Sequence, residues 1–236
     1  MYPDRPQGIF IGEVYLHEPG GLITNLMILV ASAALLYRMR GQGTGWMVKW
    51  KLFLLCLGVA AFGGIFTHGF PLLFTESEFY TVWWLKNSFV PLGNFFAAAA
   101  LVPYIFGRPE SAFFAPGMRR VMWFFIAKAV LVSFLLFYTR SFLPAVLDLA
   151  FTWFTAIYAA QMMRKSIPGG GALLTAFAVA VLSGLMYLKP WHIDAHWFTN
   201  SDAVHVAVIF SMWLVYKGAS RAQLHFNRLA AEDIRS

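Results

Sequence analysis

The chain has 236 residues, of which 59% are hydrophobic, 18% aromatic and only 12% charged, with a formal net charge of +7 at pH 7. Soluble domains average roughly 45 to 50% apolar and about 25% charged residues, so a water-soluble globular domain is excluded and an integral membrane protein is expected. The excess of 18 Lys and Arg over 11 Asp and Glu is placed in alternate connections, which marks membrane orientation and not a nucleic-acid footprint; no nucleic-acid partner is expected.

The first 20 residues hold Pro3, Asp4, Arg5, Glu13, His17 and Glu18 without a basic stretch leading into an apolar core, so no cleavable signal peptide is predicted. Ile9 to Leu16 mix apolar and polar positions before Pro19, Gly20 and Gly21, which predicts a short interfacial segment on the outer surface. Seven runs are then long enough to cross about 30 Å of hydrocarbon at ~1.5 Å per residue. They are Gly21 to Met39, Lys51 to Phe70, Tyr80 to Phe106, Arg120 to Thr139, Phe142 to Met163, Gly170 to Leu188 and Ala203 to Ser220. Continuous apolar runs predict helices, since barrel strands would alternate. The runs occupy most of the chain. The expected fold is therefore an all-α membrane protein, a seven-transmembrane helix bundle forming a single domain over 1–236, with 1–20 as an outer segment and 221–236 as a cytoplasmic tail.

Between the runs, Gly41 to Gly45 and Pro168 to Gly171 read as turns. Ala97 to Ala100 offers a small-residue face for close helix packing. Cys56, the single cysteine, has no intrachain partner. Arg38, Arg40, Lys49 and Lys51 follow helix 1, Arg108, Arg119 and Arg120 follow helix 3, Arg164 and Lys165 follow helix 5, and Lys217, Arg221, Arg228 and Arg235 end the chain. The other connections carry Glu76 and Glu78, then Arg140, then Lys189 with Asp194 and Asp202. The positive-inside rule puts the N-terminus outside and the C-terminus in the cytoplasm, as an odd number of spans also requires. Trp83, Trp84, Trp191 and Trp197 near the outer boundary and Trp46, Trp50 and Trp123 near the inner one read as an interfacial belt. Lys128 in helix 4 and Asp148 in helix 5 are expected to pair, since lone charges in hydrocarbon are costly.

Given this topology, polar residues far apart in sequence share one depth. Helix 2 ends in Gly63-Gly64-Ile65-Phe66-Thr67-His68-Gly69-Phe70, and helix 7 carries His205 in its first turn, with Asp202 three residues earlier on the same face. Glu18 and Asn25 open helix 1, while His192, Asp194, His196, Asn200 and Ser201 precede helix 7. The set suits a zinc site: imidazoles from two helices, a further His or Asp, and water in an open fourth position. Such a metal acidifies its water and a neighbouring carboxylate accepts the proton, which is chemistry for hydrolysing amides or esters. His192 and His196 have the i, i+4 spacing of a helical metal pair, although Pro190 and Trp191 stand just before them.

Glu18-Pro19 followed by Thr24-Asn25, the Gly-Gly-x-x-x-His68-Gly element and the Phe198-Thr199-Asn200-Ser201-Asp202-x-x-His205 element together resemble the seven-helix superfamily of alkaline ceramidases and progestin/adipoQ receptors, in particular its bacterial branches. The resemblance implies a zinc held by one His ending helix 2 and two opening helix 7, with a Ser, an Asp and a helix 1 Glu nearby. His68 and His205 match the first and last ligands. Ser201 stands where the middle His belongs, leaving His196 or Asp202 as third ligand; Gly64 stands where the family has its Ser; and Glu78 or Glu76 is the nearest substitute for the helix 3 Asp. The implied site has His68, His205 and His196 on zinc, Asp202, Glu18 and Glu78 handling protons, and Asn25, Ser201 and Asp194 in support. The implied substrate is a membrane lipid amide or ester, and the implied location the bacterial cytoplasmic membrane. Two other classes stay open: a b-type haem protein with His68 and His205 as axial ligands, and a non-catalytic receptor or scaffold with a degenerate site.

Overall fold

In hydrocarbon every backbone N–H and C=O must be paired within its own segment, and each apolar run accordingly becomes a helix. The computed structural model describes residues 8–105, 116–187, 192–194 and 198–233. A hairpin of β1 (Ile9–Ile11) and β2 (Val14–Leu16) precedes α1 (Pro19–Arg38) and α2 (Gly45–Gly64). After a π-turn over Ile65–Gly69 and a short 3-10 turn over Pro71–Leu73 come α3 (Glu76–Ile105), α4 (Pro116–Thr139), α5 (Leu143–Met163) and α6 (Gly170–Tyr187). A second hairpin, β3 (His192–Asp194) with β4 (Phe198–Thr199), leads into α7 (Asn200–Asp233).

The helix starts carry local signals. Proline stands in the first turn of α1 and of α5, where its missing N–H costs nothing. The Thr44 hydroxyl caps α2 by accepting from Met47 N at 3.3 Å. Thr75 and Glu78 form a capping box on α3: Glu78 Oε2 accepts from Thr75 N at 2.8 Å and Thr75 Oγ1 accepts from Glu78 N at 3.4 Å. The α5–α6 turn uses Gly169 at φ +100°, a conformation that favours glycine, and a Cβ there would also lie 3.1 Å from the Gly218 carbonyl carbon of α7.

Helices α1, α2, α3, α5, α6 and α7 each touch the next, and α7 returns to α1, while α4 packs against α3 and α5. Among the described residues there are seven helices, six of them long and apolar enough to cross a membrane; the apolar stretch of α6, Gly170–Leu185, is shorter. Polarity is inverted relative to a soluble protein. Asn25, Asn94, Asp148, Thr152 and Asp202 are buried, whereas Val130, Phe134, Phe137, Leu147 and Phe154 are exposed. Apolar surface on this scale has no place in water, and with the helix lengths it identifies an integral membrane protein.

The Ala97–Ala100 face is wholly buried, and Trp46 reaches across it to donate from Nε1 to Ala100 O at 2.9 Å. Here the structure departs from the expected aromatic belt. Trp46 and Trp50 are 1% and 0% exposed, stacked edge-on at 5.9 Å in the core, whereas Trp123 is 62% exposed. Alanine leaves space beside α3 that only a large side chain fills, so these two indoles turn inward. The expected cytoplasmic tail also differs, because α7 continues to Asp233 with Ala222 and Gln223 buried and Gln223 accepting from the Thr44 hydroxyl. The N-terminal segment Ile9–Leu16 is a β-hairpin turning at Gly12, with Phe10 and Ile11 exposed.

Lys128 and Asp148 pair as their isolation in hydrocarbon requires. The Lys128 ammonium contacts Asp148 Oδ1 and donates to Thr152 Oγ1 at 2.7 Å, and Asn94 Nδ2 donates to Asp148 Oδ2 at 2.6 Å. Both carboxylate oxygens are thus engaged, with the Asp148 side chain 0% exposed.

Candidate functional site

The strand leaving the first hairpin does more than enter α1. His17 N donates to Gly69 O at 3.1 Å and Glu18 N to His68 O at 2.9 Å, stitching this segment onto the turn that ends α2. The side chains repeat the link, with His68 Nδ1 2.6 Å from Glu18 Oε2. Gly21, one turn into α1, lies under the His68 ring, where a Cβ would be 3.1 Å from that of His68.

At the other side of α1, Thr24 joins α7. Its hydroxyl lies 3.1 Å from Asp202 Oδ1, 3.0 Å from Gly20 O and 2.8 Å from His205 Nδ1. A hydroxyl has one proton to give. The carboxylate and the carbonyl are pure acceptors, and when the proton goes to either of them Thr24 Oγ1 is left to accept from His205 Nδ1–H, so this contact is made by the Nδ1–H tautomer. Glu18 imposes the same tautomer on His68, whose Nδ1–H donates to the carboxylate. Both rings are held through Nδ1 and carry their remaining lone pair on Nε2. Their centroids are 6.3 Å apart at an interplanar angle of 86°.

Asp202 is 1% exposed and fully engaged. Oδ2 accepts from Thr199 N at 2.8 Å and Thr199 Oγ1 at 2.9 Å, a capping contact at the start of α7, and Oδ1 faces Thr24. Its place is that of an anchor for Thr24, and Glu18 is the carboxylate that touches an imidazole directly. Glu78, by contrast, is an exposed cap of α3 held by Thr75, so the structure gives it a helix-starting role and does not bring it to the two rings. Asn25 packs against α2. Its Nδ2 donates to Gly21 O at 2.7 Å, and its Cγ would be 2.6 Å from a Cβ at Gly64. The asparagine thus takes the space that a side chain at position 64 would need. Ser201 sits in the first turn of α7, its N–H held by Asn200 Oδ1 at 3.0 Å. Asp194 ends β3. His196 lies outside the described residues. His192 lies in the extended strand His192–Asp194, paired with β4, and not on a helix.

Two residues at this site are only partly read from the sequence: Thr24 stands in the helix 1 element without a role of its own, and Lys86 is expected to snorkel or to meet Glu76 or Glu78. Thr24 is the first; the Thr199-x-x-Asp202 capping pattern, which orients the carboxylate that Thr24 meets, is the signal that points to it. Lys86 is the second. From α3 it packs its Cβ close against Gly63 of α2. A lysine six residues into an apolar run was legible as a charge in need of a partner.

Among the described residues no group of three or more His, Cys, Asp or Glu side chains is arranged to hold a metal ion. The His68 and His205 ring centroids, 6.3 Å apart, are about 1 Å farther apart than those of two rings sharing a zinc at ~2.0–2.1 Å each.

Close packing here yields a stability test. Gly64→Ala is expected to cost about 1–3 kcal/mol by overpacking against Asn25, read as a lower melting temperature of the detergent-purified protein. Adding Asn25→Ala should recover most of the loss, and an unchanged Gly64→Ala melting temperature would contradict the contact.

Residues 21–224 match a family of unknown function, DUF6962. No curated protein and no solved structure matches the chain.

Proposed function

The chain belongs to the DUF6962 family, and from that premise we propose that this member is a zinc-dependent hydrolase of a lipid amide or ester, working at the outer boundary of a bacterial cytoplasmic membrane. One observation carries the reading: His68 and His205, from helices 137 positions apart in the numbering, lie with ring centroids 6.3 Å apart and each has Nδ1 within hydrogen-bond distance of an oxygen partner, Glu18 and Thr24 respectively. An oxygen partner on the second ring nitrogen is the usual support for a metal-binding imidazole, and a buried polar shell of this kind is costly in a membrane unless it serves a purpose.

In this reading His68 and His205 are two of the zinc ligands, and His196 is the third. Bound zinc supplies a water acidified to near-neutral pKa and a Lewis acid for the carbonyl. Glu18, in contact with His68, takes the proton from the attacking water and returns it to the leaving amine or alcohol. Thr24 and Asp202 hold the His205 tautomer. The resemblance to the ceramidase and adipoQ-receptor superfamily, the seven-span topology with an outer N-terminus and cytoplasmic C-terminus, and a substrate entering from the outer leaflet all belong to the same proposal.

Metal analysis of the purified protein tests it. The expected result is about one zinc per chain, with fatty-acid release from a lipid amide or ester that stops on chelation and returns with added zinc. A haem absorbance band in place of zinc would assign His68 and His205 as axial ligands instead. Protein with neither would be a receptor or scaffold.

A further inference from the structure

Away from the two imidazoles, a cleft of about 630 Å³ opens between the start of α3 and the end of α4. Its walls are aromatic: Tyr80, Trp83 and Trp84 on one side, Phe137 and Tyr138 on the other. Trp84 is fixed there, its Nε1 donating to Ser133 O at 2.9 Å and its ring edge-on to Phe137 at 5.4 Å. Two opposite charges also line the cleft. Arg140 holds its guanidinium 4.5 Å above the Tyr80 ring, and its Nη1 is 4.0 Å from Glu76 Oε1. That distance is beyond hydrogen bonding, and both side chains are more than 60% exposed, so each charge is presented outward next to the other.

The backbone supplies a second, independent observation. Arg140 is the residue that follows α4, and its φ is +49°, in the left-handed region that helix ends normally fill with glycine or asparagine. Among the described residues it is the only non-glycine with positive φ. A long cationic side chain kept where glycine is easier points to the side chain as the reason.

We propose that this cleft binds the headgroup of a zwitterionic phospholipid, with the phosphodiester on Arg140, the ammonium between Glu76 and Trp83, and an acyl chain descending along the exposed Phe137. Arginine matches phosphate oxygens, and aromatic faces beside a carboxylate match an organic ammonium. The cleft lies at a helix end with exposed apolar side chains below it, which is the level at which a lipid headgroup sits. An anionic lipid would satisfy Arg140 but meet repulsion from Glu76. The assignment does not depend on zinc or hydrolysis.

Native mass spectrometry of the detergent-purified chain, titrated with short-chain phosphatidylethanolamine, short-chain phosphatidylglycerol or soluble glycerophosphoethanolamine, tests it. The wild type is expected to bind the zwitterionic lipid about tenfold more tightly than the anionic one, with no binding of the soluble headgroup. Arg140→Gly is expected to lose the zwitterionic lipid by about tenfold while its melting temperature holds or rises, because glycine adopts the required φ without strain. Glu76→Lys should invert the preference toward phosphatidylglycerol. Equal binding of both lipids by the wild type, unchanged binding in Arg140→Gly, an unaltered preference in Glu76→Lys, or binding of the soluble headgroup alone would each overturn the proposal.

Discussion

Asp148→Leu is expected to destabilise the protein by about 3–5 kcal/mol, the cost of leaving a buried charge without its partner. The loss is large because Asp148 answers two groups at once. Lys128 from α4 and Asn94 from α3 meet its carboxylate, and Thr152 from α5 accepts from the same Lys128 ammonium. Lys128 also lies 5.4 Å above each of the Phe125 and Phe151 rings, which cushions the ammonium but cannot neutralise it. The double variant Lys128→Met/Asp148→Leu is expected to return to within about 1–2 kcal/mol of the wild type, since replacing a whole buried pair by apolar groups is often neutral or stabilising. Denaturant-induced unfolding in detergent measures all three proteins. If the single variant unfolds like the wild type, the pair is not a structural tie between the helices.

The second large effect is on metal content. On the proposed zinc reading, His68→Ala and His205→Ala are each expected to reduce bound zinc from about one per chain to less than about a tenth, because a site of three protein ligands that loses one would have too few donors. Thr24→Val tests the support of His205 without touching a ligand. It removes the acceptor for His205 Nδ1–H and should weaken zinc by about 10–100-fold, whereas Thr24→Ser keeps the hydroxyl and should stay near wild type. Glu18→Gln should reduce turnover more than metal content, since the amide still accepts from His68 but no longer takes a proton. Metal stoichiometry after gel filtration, with melting temperature measured alongside, separates loss of zinc from loss of fold. Full zinc retention in both histidine variants would remove these residues from the ligand set.

Three features of the fold were legible because hydrocarbon allows few solutions. An apolar run of membrane length must close its own backbone hydrogen bonds, so the seven runs mark the seven helices, although α2 starts six residues before its run and α7 continues 13 residues past the expected Ser220. Thr75 with Glu78 and Thr199 with Asp202 are capping patterns readable from spacing alone, and they place both acidic residues at helix starts. Lys128 and Asp148, as charges isolated inside neighbouring spans, had to find one another.

At the candidate site the sequence specified depth, which is a matter of counting residues along a helix, and this was enough to bring His68, Glu18, Asp202 and His205 to one level. It did not specify direction around each helix axis or which helices are neighbours, because a nearly uniform apolar surface has little periodicity to reveal its inner face. Only tertiary packing put α1 between α2 and α7, so that Glu18 reaches one imidazole and Thr24 the other. Packing likewise turned Trp46 and Trp50 into the core, filled the space over Gly64 with Asn25, and left Glu78 as an exposed cap. The physical reason is the same throughout: composition and length determine which segments leave water, whereas the fit of particular side chains against particular neighbours determines which polar groups meet once they have left it.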